Sequence, residues 1–127
     1  MAEGFSAATA ANILDAMCNA TSWSVADVWI QLHIGAPGSA GTASPAVETS
    51  RRQASFSAAS SGTITNDAAL TWSGVAASED YSHYSAWTAS TVGTFLFSGT
   101  ITANAVTNGD TFTIPVGEFD LSIPTAS

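Results

Sequence analysis

Two histidines, His33 and His83, are the side chains best suited to move a proton near neutral pH. A serine hydrolase would need one of them beside a serine nucleophile and an orienting carboxylate. Serines are plentiful, but the sequence has no Gly-x-Ser-x-Gly elbow. Each histidine falls in an alternating, strand-like stretch, where a structural hydrogen bond is the expected role. Zinc ligation needs closely spaced Cys or His clusters, and these are absent. Glu79-Asp80 and Asp110 could offer oxygens to calcium, but no Asp-x-Asp-x-Asp-Gly loop surrounds them. Glu3, Glu48, Glu79 and Glu118 have no context that marks a glycosidase pair. A Gly-x-x-x-x-Gly-Lys phosphate loop is missing too. The expectation is a chain that is not an enzyme, with no catalytic residue, no cofactor and no metal ligand.

The aromatic residues allow a binding reading. Trp23, Trp29, Trp72 and Trp87, with Tyr81 and Tyr84, could stack on sugars. Aromatics at alternating positions are more often core, and core is expected here. Trp29 faces away from the Val28, Ile30 and Leu32 row, so it needs a second cover, either the N-terminal helix or a partner chain. Asn19-Ala20-Thr21 matches a glycosylation sequon, read as coincidental because Met1 to Phe5 does not start like a secretion signal.

The elements that would position these residues are mostly strands. Ser6 can cap a helix over Ala7 to Cys18, with Ala10, Ile13, Leu14, Met17 and Cys18 on one apolar face. A helix this short is marginal alone, so that face must dock on its own core or on a neighbour. From Val28 the period changes to two: Val28, Ile30, Leu32 and Ile34 alternate with Trp29, Gln31 and His33. Gly35-Ala36-Pro37-Gly38 ends that strand, and Ser39 to Thr49 reads as a long exposed loop. Further strand faces are expected at Arg52, Ala54, Phe56 and Ala58; at Ala68, Leu70 and Trp72; at Tyr81, His83, Ser85 and Trp87; and at Phe95, Phe97, Gly99 and Ile101. After the tight turn at Asn108-Gly109, the run from Phe112 to Ile123 is one bent strand or two, kinked at Gly117. The expected class is all-β, a β-sandwich or jelly-roll-like domain with one short N-terminal helix. It is expected as a single domain over 1–127, with the helix in 1–19 and the sandwich in 28–124.

Composition bounds the partners. Of 127 residues, 46% are hydrophobic and only 9% charged, against about 25% in a typical domain. Arg51 and Arg52 face ten acidic residues, for a formal charge of −8. Nucleic-acid affinity rests largely on neutralising phosphates with Lys and Arg, so nucleic acid is excluded as a partner. Anionic membrane surfaces are disfavoured in the same way, and no stretch is long and apolar enough to span a bilayer. With Cys18 alone, no internal disulfide can form. A soluble protein made in the cytoplasm is expected.

The order of motifs resembles a family of small virion proteins of tailed phages, especially those of actinobacteria, often labelled tail fiber or minor structural proteins. The family's LHTG-PG-AGT segment is matched by Leu32-His33-Ile34-Gly35-Ala36-Pro37-Gly38 and Gly41-Thr42. Its Arg-containing strand is matched by Arg51 to Phe56, and its N-A-x-x-F/W strand by Asn66 to Trp72. Tyr81 to Trp87, Leu96 to Ile101 and Val106 to Gly117 complete the order, over roughly residues 10 to 123. The usual Thr of LHTG is Ile34 here. The resemblance implies a virion component without enzymatic activity. Size and charge then point first to a decoration or minor capsid protein on the outer shell, bound to the major capsid protein as a homo-oligomer, with trimers expected. The alternatives are a minor tail or tail-fiber component held by tail proteins, and a carbohydrate-binding module on the virion surface.

Overall fold

The computed structural model describes residues 3–126; the outermost residues of the expected domain limits, Met1, Ala2 and Ser127, lie outside them. Helix α1 spans Ala7–Cys18, as the spacing predicts. The Ser6 hydroxyl caps it by accepting from Thr9 N at 3.1 Å. Eight strands follow: β1 (Val28–His33), β2 (Arg52–Ala54), β3 (Thr63–Thr65), β4 (Leu70–Trp72), β5 (Glu79–Trp87), β6 (Phe95–Val106), β7 (Phe112–Ile114) and β8 (Asp120–Ser122). The run from Phe112 to Ile123 is therefore two strands, with Gly117 at φ +82° in the turn between them.

A four-stranded antiparallel sheet in the order β2-β1-β5-β6 forms one layer. Two antiparallel ribbons, β4 with β7 and β3 with β8, supply the other secondary structure of this all-β chain. The core collects Ile30, Leu32, Tyr84, Ala86, Phe97 and Ile101 from the sheet. Leu70, Trp72, Phe112, Ile114 and Phe119 from the ribbons and their turns complete it. Edge-on aromatic pairs join the parts: Tyr81 with Phe112 at 4.9 Å and Tyr84 with Phe119 at 4.6 Å.

Bulges change two expected faces. The register of β5 against β6 shifts between Tyr81 and His83. Here β5 advances from Tyr81 to His83 while β6 advances from Asn104 to Thr100, and across this irregularity Tyr81 lies in the core with Tyr84 and Ala86, apart from His83, Ser85 and Trp87. A second shift pairs Ala86 with Phe97 but Trp87 with Phe95, skipping Leu96. Phe95 therefore packs on Trp87 at 5.5 Å instead of sharing the face of Phe97. The strand expected through Phe56 and Ala58 stops at Ala54, and Phe56 makes only an isolated bridge to Asn66. Strand β3 was not expected: Thr63-Ile64-Thr65 is too short, beside Ser61-Gly62, to show a period.

The segment Ser39 to Thr49 is not the free loop its composition suggests. It folds back along the edge of β1 that β2 also pairs with, where Ile34 N donates to Ser44 O and Ala46 N to Leu32 O. Ala46 is buried, and Gly41 (φ +75°) sits so close to the Phe95 ring that a Cβ there would lie 2.5 Å from it.

Candidate functional site

The structure brings His33 together with a serine that the sequence reading had not paired with it. On the outer face of the sheet, His33 Nε2 lies 2.7 Å from Ser85 Oγ, and His33 Nδ1 lies 2.8 Å from the Ala43 carbonyl. A carbonyl only accepts, so Nδ1 carries the proton and Nε2 accepts from the Ser85 hydroxyl. Ser85 Oγ in turn accepts from Trp87 Nε1 at 2.7 Å. Each donor in this chain has one acceptor, and both His33 and Ser85 are 0% exposed. The second partner of the imidazole is a backbone carbonyl, where a triad would need a carboxylate. Burial lowers the His33 pKa below its ordinary value, which keeps the ring neutral. The network fixes the loop from Ile34 to Ala46 onto the sheet.

His83 makes a second line. Ser82 Oγ lies 2.8 Å from its Nδ1, and Glu3 Oε2 lies 3.5 Å from its Nε2. The adjoining cleft, of about 400 Å³, is lined by Glu3, Phe5, Tyr84 and Glu118 and not by Ser82 or His83. The Ser82–His83–Glu3 line thus ties the N-terminal segment to β5.

Of the carboxylates singled out from sequence, Glu48, Glu79, Glu118 and Asp110 accept from the backbone. Glu79 accepts from Val47 N at 2.8 Å and from Glu48 N at 3.3 Å. Glu48 accepts from Ala76 N and from the Ser50 hydroxyl. Glu118 accepts from Thr102 N at 2.9 Å, and Asp110 from Thr107 N at 2.9 Å. Among the described residues no three His, Cys, Asp or Glu side chains converge as a metal would require. Burial, with Glu79 and Glu48 nearby, pushes the Tyr81 hydroxyl up to about 12, so it stays protonated. Asn66, buried, donates to Ala68 O and Pro115 O and accepts from Phe119 N, which closes the β7–β8 turn.

Both arginines serve the fold. Arg51 donates to Ala89 O and Val92 O at 2.8 Å each, and its guanidinium stacks 4.4 Å from the Trp87 ring. Arg52 donates to Thr71 O at 2.9 Å. The partners are carbonyl oxygens of this chain.

The tryptophans do not make one platform. Trp72 and Trp87 are buried and Trp29 is half-buried, opposite Trp87 and Gln53 on neighbouring strands. Helix α1 packs on β6. Of the exposed large apolar side chains among the described residues, Phe5, Leu14, Met17 and Trp23 lie on the N-terminal arm, and Ile34, Val47, Val92, Val116 and Ile123 lie singly in loops and turns. Of the expected helix face, Ile13 is half-buried, but Leu14 is 56% and Met17 72% exposed, with Cys18 exposed beside them. Phe5 and Trp23 border an apolar groove of about 260 Å³ with Ile13, Val28 and Leu96. Trp23 was missed as a member of this patch, although a Trp in a polar, turn-rich stretch is a sign of one. Exposed apolar side chains on a 12-residue helix and its flanks suit contact with protein better than chemistry.

No curated protein matches the chain. A family model described as podophage GP4 fiber I protein gp80 matches residues 4–122, nearly the whole length. The chain belongs to the podophage GP4 fiber I protein family, and is a structural protein of a tailed-phage virion.

Proposed function

We propose that this chain is a non-catalytic building block of a virion fiber, a single β domain that assembles with copies of itself through its N-terminal arm. The observation that carries this reading is the exposed apolar face of α1. Leu14 and Met17 stand in solvent in the isolated chain, although the helix is too short to be stable without support. Burying them against neighbours removes apolar surface from water and costs little desolvation, because Asp15 is the one charged residue between Gly4 and Ala26. The buried His33–Ser85 network and the backbone-bonded carboxylates support a role without turnover, cofactor or metal. The family's description speaks of a fiber, which favours contacts with tail proteins.

A second reading, a decoration protein on the major capsid protein, is favoured by one feature: α1, of 12 residues, is too short for a coiled-coil shaft. Gold-labelled antibody on intact virions separates the two. Label on the tail or its fibers is the expected result; label spread evenly over the head would replace the fiber reading by the decoration one.

A further inference from the structure

The N-terminal arm, residues 3–24, is joined to the body of its own chain by a few bonds, all near its start. Ser98 N donates to Gly4 O at 2.9 Å and Ser6 N to Leu96 O at 2.8 Å, so residues 4–6 extend the sheet along the outer edge of β6. Phe5 stands opposite Phe97, its ring edge-on at 6.2 Å. In the helix only Thr9 is buried. From Leu14 to Ser24 every residue is exposed. The hydrogen bonds of this stretch close on themselves: Asn19 N and Thr21 N donate to Asp15 O, and Asn19 Nδ2 to Asp15 Oδ1. Contact with the core resumes at Val25 and Val28.

We propose that the arm is exchanged between copies: residues 3–18 of one chain occupy the β6 edge of a second copy. The inference rests on the self-assembling reading above and adds how the copies are joined. The occupant is argued from identity. The β6 edge already accepts this segment with two backbone bonds and a Phe–Phe contact, and a second copy brings the same residues. Without the arm, β6 would present a bare sheet edge, which recruits a strand. The connector from Asn19 to Ala26 can extend to about 28 Å, enough to reach an adjoining domain. With Asp15 its only charge between Gly4 and Ala26, the joint brings few like charges together in a chain of −8. Exchange also sets Leu14, Met17 and Trp23 at the new joint between copies, where the isolated chain leaves them in water. Passing the arm onward instead of reciprocally would give a ring or a filament from the same contact.

The test uses the pairing of Phe5 with Phe97, which lie opposite each other without mutual backbone bonds, a geometry that sets Cα atoms about 4.5 Å apart. In full-length chains carrying Cys18→Ser, Phe5→Cys and Phe97→Cys are placed in separate chains, co-expressed and oxidised. Exchange gives a disulfide-linked two-chain species on a non-reducing gel. A double Phe5→Cys/Phe97→Cys chain that closes only on itself, with no linkage between the single variants, overturns exchange. If the protein still sediments as an oligomer in that case, the self-assembling reading stands and exchange alone fails. If it is a monomer throughout, both fail. Because Phe97→Cys could unfold the chain, a photoreactive benzoyl-phenylalanine at position 5 repeats the test in an equal mixture of heavy- and light-nitrogen chains. Cross-linked products of mixed isotope are expected; products of one isotope only would overturn exchange.

Discussion

Single residues separate into those whose role the sequence declares and those that need the fold. Trp72 stood on the apolar side of an alternating run and is fully buried, with its indole donating to Ser50 O at 2.8 Å. Trp72→Ala should cost about 3–5 kcal/mol in denaturant titration, the usual loss for a buried aromatic. Phe56 stood on an equally plausible row, but its strand ends early and it is half-buried against Phe119 at 6.3 Å. Phe56→Ala should therefore cost less than Trp72→Ala, about 1–2 kcal/mol. Equal losses would show that Phe56 is sealed as deeply. His33 was read as a structural hydrogen-bonder, which its three-member network supports, but its partner Ser85 could not be read from sequence because they are 52 residues apart. The buried ring has a pKa below its ordinary 6.5 in the folded chain. Below pH 6.5 the unfolded state binds a proton that the folded state resists, so stability is held above that pH and lost beneath it. Melting at pH 7 and pH 5 should show a loss that His33→Gln reduces; an identical pH slope in that variant would contradict the assignment.

Elements were legible where their period was long and hidden where a bulge or a short run intervened. The helix from Ala7 to Cys18 and the strand from Val28 to His33 carry clear periods of 3.6 and 2. Strand β5 alternates as well, but the register irregularity against β6 between Tyr81 and His83 changes which side chains reach the core, and period counting cannot see it. The polar segment after Gly38 reads as an exposed loop, and what holds it comes from distant partners that the sequence does not show: the His33 ring, the Glu79 carboxylate and the Phe95 ring. Gly41→Ala tests that account, since it adds a Cβ against Phe95 in a backbone conformation that L residues resist. A loss of about 2 kcal/mol or more, with the segment exchanging its amide hydrogens faster, is expected; wild-type stability would mean that the segment is not held down.

At the scale of the whole molecule, low charge and the exposed apolar side chains of the arm support the proposed assembly. From sequence alone, the charge balance argues against nucleic acid as a partner and the composition points to assembly. What the sequence could not settle was which face is offered, because an amphipathic helix reads the same whether it covers its own core or a neighbour's. The structure answers through exposure: Ile13 leans on the body while Leu14 and Met17 face outward. The most direct measurement is the solution mass of the 12.9 kDa chain by light scattering over a range of concentrations, beside a Leu14→Ser/Met17→Ser variant. The expected result is a wild-type mass several times that of one chain, falling to a single chain in the variant while circular dichroism and melting stay close to wild type. A wild-type protein that remains one chain at every concentration, or a variant with unchanged mass, would contradict assembly through the arm.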